Sequence, residues 1–302
     1  MISVFVNVLI PVLIIFLIGY IIGRFFDMNS KTMSTLSIYI LTPALVFYTI
    51  YNNDNIISES TLKIFLASSI VLIGIFVIVE VISRIFKIPP AIKTIIALTL
   101  IFSNSGNFGI PINEYAYGAD GLYIATIIMV IYNIYINTLG VFLANRGHSD
   151  IKKSLIEMVK VPAFYAIIIG LAIKLMNIEI PLNIYRPIES IGRSALPVNL
   201  LLVGINLSKI SLGKNMPLVL GISGIKLFLI PFLSFFILLA LGIEGNEFNV
   251  TLTQIGMPSA VYCTILISHY GGDKEIVSEI VLLTSLLSFV SLTILISILN
   301  MI

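Results

Sequence analysis

The sequence predicts an all-α membrane protein of ten transmembrane helices, built as two inverted five-helix repeats. Three observations predict it: an apolar composition, ten apolar runs of bilayer length, and two polar interruptions at matching places in the two halves. Of the 302 residues, 58% are hydrophobic and 11% charged, and the mean hydropathy is +1.10. Soluble domains carry about a quarter charged residues, so a water-soluble globule is excluded. Lys and Arg number 17 against 15 Asp and Glu, and a net charge of +2 is too small for a nucleic-acid partner. Cys263, the single cysteine, excludes a disulfide framework, and with His148 and His269 it offers no metal-ligand spacing. No metal or other cofactor is expected.

A helix needs about 20 apolar residues to cross a bilayer. Such runs lie near 3–22, 33–51, 62–83, 91–117, 121–144, 162–178, 188–207, 216–242, 248–270 and 276–300. They fill most of the chain and leave no room for a soluble domain. The alternation of a membrane β-barrel is absent. The first run has no basic flank and no small-residue cleavage site, so it reads as a retained helix and not a signal peptide. Trp is missing, and Tyr20, Phe25 and Tyr51 near span ends read as interfacial anchors.

Basic residues set the orientation. One set of alternate loops holds Arg24, Lys31, Arg84, Lys87, Lys93, Arg146, Lys152, Lys153, Lys160, Lys209, Lys214 and Lys274, twelve in all; the other holds Lys63, Lys174, Arg186 and Arg193. The positive-inside rule puts the larger set in the cytoplasm and both termini outside a plasma (inner) membrane.

The polar connection from Asn145 to Lys160 divides the chain into halves 1–150 and 151–302, each with five spans. An odd number of spans forces the second half to enter the membrane from the opposite side. The fourth span carries Asn104-Ser-Gly-Asn-Phe-Gly-Ile-Pro111 and ends in Tyr117-Gly-Ala-Asp120. The ninth carries Gly256-Met-Pro258 and ends in Tyr270-Gly-Gly-Asp273. Thr42-Pro43-Ala44 in the second span and Leu196-Pro197-Val198 in the seventh are a further pair.

These interruptions are the most informative chemistry. Proline inside a helix removes a donor and clashes with the preceding turn, and Gly106 and Gly109 cost about 1 kcal/mol each relative to alanine. Asn104, Ser105 and Asn107 place amides and a hydroxyl at a depth without water. Free backbone groups in lipid cost several kcal/mol each, so such a break faces protein or a wet cavity. Paired breaks in two halves are the pattern of a secondary transporter, whose half-helix ends build a midplane site. Asn104, Ser105, Asn107, Gly109, Pro111, Gly256, Met257 and Pro258 are therefore the candidate substrate-binding residues. A proline kink such as Met257-Pro258 is by itself common in membrane helices.

Asn104-Ser-Gly-Asn-Phe-Gly-Ile-Pro111, Gly256-Met-Pro258 and Leu196-Pro-Val-Asn-Leu-Leu-Leu-Val-Gly204 resemble the auxin efflux carrier family, which also includes prokaryotic permeases of malate or malonate type. The resemblance runs the full length, and the compact middle connection is similar to the prokaryotic branch. It implies an NhaA- and bile-acid-symporter-like fold with broken fourth and ninth helices crossing at Pro111 and Pro258. Spans 1, 2, 6 and 7 would form a scaffold, often a homodimer, and spans 3–5 and 8–10 a transport domain moving like an elevator. The implied substrate is a small organic carboxylate, with Asn104 and Asn107 beside the crossover in contact with it. The driving ion, H⁺ or Na⁺, stays open.

Lower-ranked candidates are Asn133 and Asn137, one turn apart, Asn199 with Asn206, and Lys226. The asparagines serve as cavity lining or as packing glue between helices. An unpaired Lys226 some ten residues into the eighth span would cost about 2.5–3.5 kcal/mol; it attracts a carboxylate, serves a proton carrier, or snorkels to the cytoplasmic face. Glu80 and Arg84 read as an i,i+4 pair, Gly19 and Gly23 as a close-packing motif, and Cys263 as a small buried hydrophobe. Asp120 and Asp273 fall at helix ends on opposite sides of the membrane, so they cannot form the paired aspartates of a membrane protease, and no enzyme is expected. An ion channel or membrane receptor using the same broken-helix site is the second reading.

Overall fold

The computed structural model describes residues 1–53, 59–145, 162–211, 213, 215–269 and 272–301. Eleven helices are described: α1 Ile2–Phe25, α2 Ser30–Asn52, α3 Glu59–Ile85, α4 Pro90–Ile101, α5 Ser105–Ala144, α6 Pro162–Leu175, α7 Leu182–Leu207, α8 Met216–Ala240, α9 Gly245–Ile255, α10 Tyr262–His269 and α11 Lys274–Leu299. Seven of them, namely α1, α2, α3, α5, α7, α8 and α11, are long and apolar enough to cross a membrane. Their outward faces are greasy. Leu62, Phe65 and Ile73 on α3 and Phe228, Phe232 and Phe236 on α8 are exposed, as lipid contact requires.

The apolar runs match these helices closely, with one start misplaced. The seventh run was expected from residue 188, yet α7 begins at Leu182 and passes through Pro187 and Pro197. Arg146, Lys152, Lys153, Lys160, Lys214, Tyr270 and Gly271, used above for orientation and for the repeat, and His148, weighed as a metal ligand, lie outside the described residues.

α5 is one run of two helical arms. Gly118 sits at φ +66° and ψ −146°, a conformation that residues with a Cβ rarely adopt. Residues 113 and 121 would be about 12 Å apart along a straight helix. Instead a Cβ on Gly121 would lie 2.1 Å from the Asn113 carbonyl oxygen, so the chain folds back sharply at Gly118.

Proline shapes the other helices through local widening. Four π turns, Phe5–Leu9, Ser37–Leu41, Ser105–Gly109 and Ile225–Leu229, each end two residues before a proline: Pro11, Pro43, Pro111 and Pro231. A proline ring clashes with the carbonyl four residues back and offers no N–H. The wider i→i+5 turn absorbs both defects, and the helix continues.

α1, α2, α6 and α7 pack together, with α7 lying along both α1 and α2 and α6 against α2. Small residues permit the approach. A Cβ on Gly204 would stand 2.2 Å from the Phe16 carbonyl oxygen, and one on Gly19 would stand 2.3 Å from that of Leu201. Gly23 meets Ile205 and Ser208 in the same way, so the Gly19/Gly23 motif is a packing device. In a bilayer, where lipid tails offer no hydrophobic drive between helices, such backbone contact supplies the van der Waals energy. On the other side α9 packs against α5, α8 against α11, and α3 against α4 and α5. Glu80 pairs with Arg84 at 3.1 Å as expected, and also with Lys93 at 3.1 Å.

Candidate functional site

Two chain breaks meet inside this bundle. α4 ends at Ile101; Phe102 is extended, Ser103 forms a β-bridge, and Asn104 turns the chain into α5, the Ser105 amide donating to the Ser103 carbonyl at 2.8 Å. α9 ends at Ile255, and residues 256–261 lead to α10. The segments pair antiparallel through Ser103 and Ser259. The Asn104 amide donates to the Pro258 carbonyl at 2.7 Å, and the Ala260 amide donates to that of Phe102 at 2.9 Å.

The meeting point differs from the expected one. Pro258 is there, but Pro111 is not: it lies in the first turn of regular helix after the Ser105–Gly109 π turn, well inside α5. The widened Ser105–Gly109 turn absorbs both the missing donor of Pro111 and its ring. The break falls where Phe102–Asn104 find partners on the other strand.

Helix ends leave carbonyls unpaired on one side and amides on the other. At the junction four of these carbonyls take donors from beyond their own helices. Leu98 accepts from the Phe102 amide at 3.2 Å and from the Cys263 thiol at 3.3 Å. Thr99 accepts from the Ser259 hydroxyl at 2.7 Å, and Leu100 from Lys226 Nζ at 3.0 Å. On α9, Ile255 accepts from the Ser103 hydroxyl at 3.2 Å.

The start of α5 is left open. Gly109 N–H donates to the Asn104 carbonyl at 2.9 Å and Phe108 N–H to the same oxygen at 3.3 Å, but among the described residues no acceptor faces the amides of Gly106 and Asn107. The Asn104 side-chain nitrogen is buried and has no partner. The residues that carry these groups line a cavity of about 220 Å³. Its walls include Ser37 and Thr42 of α2, Ser103 to Asn107 at the first break, Met129, Tyr132, Asn133 and Asn137 of α5, Asn199 of α7, and Ala260 to Tyr262 at the second break.

The candidates from sequence divide on this cavity. Asn104, Ser105, Asn107, Asn133, Asn137 and Asn199 line it. Asn137 donates to the Asn133 carbonyl at 2.8 Å, and Asn199 accepts from the Ser37 hydroxyl, which ties α7 to α2. Gly109, Pro111, Gly256, Met257 and Pro258 are not among the lining residues. Gly109 lets Gln254 approach, since a Cβ there would stand 2.2 Å from Gln254 Oε1; Gly256 similarly accommodates Leu295, and Met257 is fully buried. Lys226 neither snorkels nor reaches the cavity. It is 1% exposed, and Ser103 Oγ accepts from its Nζ at 2.7 Å. Snorkelling fails because the residue lies in mid-helix with polar acceptors closer than either membrane face.

Sequence reasoning missed Gln254, Ser103 and Ser259. The Gln254 amide donates to the carbonyls of Ser105 and Ala125, both at 3.3 Å, and locks α9 to the two arms of α5. A glutamine inside an apolar stretch was the available signal. Ser103 and Ser259 adjoin the quoted motifs but carry short hydroxyls that sequence alone does not distinguish from packing. Among the described residues no group of three His, Cys, Asp or Glu side chains could hold a metal ion. Asp120 accepts from the Asn246 side chain at 3.1 Å, and Asp273 caps the start of α11. Both thus have structural roles.

A small polar cavity at the junction of two interrupted helices, inside a bundle of membrane-crossing ones, defines a membrane transport protein. The chain belongs to the auxin efflux carrier-like membrane transport family: the family model described as "Membrane transport protein" matches residues 4–296. It is similar to an uncharacterized transporter of Methanocaldococcus jannaschii, 24% identical over 294 residues, covering 93% of this chain and 94% of that protein. It is also similar to an uncharacterized transporter of Methanothermobacter thermautotrophicus, 25% identical over 190 residues. That match covers 63% of this chain and 62% of the relative, so the chain spans under two thirds of that protein in the alignment.

Proposed function

We propose that the protein is a secondary active transporter that moves a small organic carboxylate, of malate, malonate or auxin-like type, across the plasma membrane. The observation that carries this reading is the unequal treatment of the two kinds of helix end. The carbonyls of Leu98, Thr99, Leu100 and Ile255 accept from protein donors, whereas the amides of Gly106 and Asn107 and the Asn104 side-chain nitrogen have no protein acceptor among the described residues, on residues that line the cavity. A helix start carries roughly half a positive charge and offers N–H donors, which together favour an anion. Neutral donors hold a carboxylate without a permanent buried charge, and so let it go again. A cavity of about 220 Å³ is below the roughly 300–1,000 Å³ of drug-sized sites, which suits a solute of a few carbon atoms.

Ten spans follow from this reading if α4 with the first arm of α5, and α9 with α10, each count as one broken span. The repeats then divide at about residue 150, with both termini outside. The cavity has walls from α2 and α7 on one side and from α5 and the two breaks on the other. Motion of α3–α5 and α8–α11 against a scaffold of α1, α2, α6 and α7 would carry the bound solute across as an elevator. A homodimer built on that scaffold accords with the family resemblance.

Purified protein in proteoliposomes tests the proposal. Uptake of dicarboxylates and aromatic monocarboxylates is measured under imposed Na⁺ and pH gradients. A carrier gives saturable uptake and counterflow of at least one of these acids. Conductance at channel rates without counterflow would replace the carrier with a pore.

A further inference from the structure

Two helices, α4 and α9, end in mid-membrane and direct their last carbonyls at the same junction. Each helix end carries roughly half a negative charge. In hydrocarbon such charge is poorly screened and calls for a cation nearby. Carriers with broken helices often place a coupling ion at ends of this kind.

Here a side chain already stands at that place. The widened turn Ile225–Leu229 of α8 carries Lys226, fully buried against the junction. Its Nζ donates to the Leu100 carbonyl, 3.0 Å away in the last turn of α4, and to Ser103 Oγ at 2.7 Å. Ser103 in turn donates to the Ile255 carbonyl, the last of α9, at 3.2 Å. A single ammonium thus serves both helix ends, α4 directly and α9 through one hydroxyl. Among the described residues no carboxylate pairs with it, and the neighbouring titratable group is the Cys263 thiol, which donates its own hydrogen to the Leu98 carbonyl. The helix ends are therefore its counter-charge.

We propose that Lys226 is a resident cation: its ammonium occupies the position of a coupling sodium ion, so the carrier works without Na⁺. This rests on the carrier reading and adds the coupling class to it. Lys226 does not line the cavity. It is a positioning residue that holds Ser103, and with it the segment from Phe102 to Asn104, in the geometry that places Asn104 in the cavity wall.

The test combines thermal unfolding of purified protein with counterflow of malonate in proteoliposomes, each in equal concentrations of NaCl, methylammonium chloride and N-methylglucamine chloride. Wild-type protein is expected to behave alike in all three salts. Lys226→Ala is expected to unfold at lower temperature and to lose counterflow at least tenfold, with partial recovery of both in methylammonium, which supplies the missing ammonium. Lys226→Gln keeps two donors but no charge, and is expected to stay as impaired as Lys226→Ala in every salt.

Three results overturn the proposal: a wild-type protein stabilised or activated by Na⁺ over N-methylglucamine, a Lys226→Gln protein equal to wild type, or a Lys226→Ala protein unmoved by methylammonium. Should wild-type protein show no counterflow of any carboxylate, the carrier reading fails. The salt dependence of unfolding still decides the role of Lys226 in that case. If Lys226→Ala does not fold, the comparison of Lys226→Gln with wild type carries the test.

Discussion

The two breaks have related backbones and different chemistry. At the first, Ser103, Asn104, Ser105 and Asn107 all line the cavity. At the second, the groups that reach the cavity are Ala260, Val261 and Tyr262, while Ser259 turns away to cap Thr99 and Met257 is buried. One segment presents polar side chains to the cavity; the other holds that segment in place, through the Pro258 carbonyl and the Ala260 amide. In the proposed carrier the two breaks divide the work unequally: the first supplies recognition and the second supplies the wall behind it. Substitutions in the first break should change transport with little change in stability. Substitutions in the second should do the reverse.

The largest expected effect is at Asn104. Its backbone amide is tied to Pro258, but its side-chain nitrogen has no partner, so replacing the side chain spares the fold. Asn104→Asp puts a negative charge where an anion is proposed to bind and should cut carboxylate counterflow at least a hundredfold. Unchanged transport by that protein would break the comparison outright. Asn104→Ala and Asn107→Ala remove donors without adding charge and should each cost about tenfold, with an unfolding temperature close to wild type. One charge-assisted hydrogen bond lost is worth about 1.5–3 kcal/mol, which covers that range.

Ser259→Ala addresses the other break. It removes the donor to the Thr99 carbonyl and leaves a buried acceptor unpaired, at about 1–3 kcal/mol. Chemical denaturation in detergent should show that loss, while the apparent affinity for carboxylate stays within threefold. A large change in affinity with normal stability would instead place Ser259 in recognition. Smallest of all is Met257→Leu. A volume-conserving swap at a buried, non-lining position should cost less than about 1.5 kcal/mol and leave uptake kinetics unchanged.

Much of the fold was legible in the sequence, because the bilayer imposes a length and a polarity that the chain cannot disguise. The apolar runs predicted helix positions to within a few residues except at α7, where Pro187 reads as a stop. There the sequence misleads, since neighbouring structure tolerates proline inside the helix. The family resemblance, and not the residues alone, put the meeting of the breaks at Pro111. Four π turns ahead of prolines explain why these residues bend their helices without ending them. The true break at Phe102–Asn104 depends on partners more than 150 residues away, Pro258 and Ala260, which no local pattern reveals.

The site was legible in its asparagines and less so in its supports. Asn104, Ser105 and Asn107 were found because amides are rare inside a membrane span. Ser103, Ser259 and Gln254 escaped because their role is to satisfy distant carbonyls, an accounting possible only once both breaks are seen together. Lys226 was noticed as a buried charge, but its role depends on the two helix ends it faces, and those lie on different elements.

The central claim is that the open start of α5, with Asn104 at its head, binds a carboxylate. Equilibrium binding of radiolabelled malonate or malate to the purified protein tests it most directly, with unlabelled acids and their dimethyl esters as competitors. The account predicts saturable binding of at least one acid, competition by acids but not by neutral esters, and loss of binding in Asn104→Asp. Equal binding by Asn104→Asp, or equal competition by esters, would contradict it.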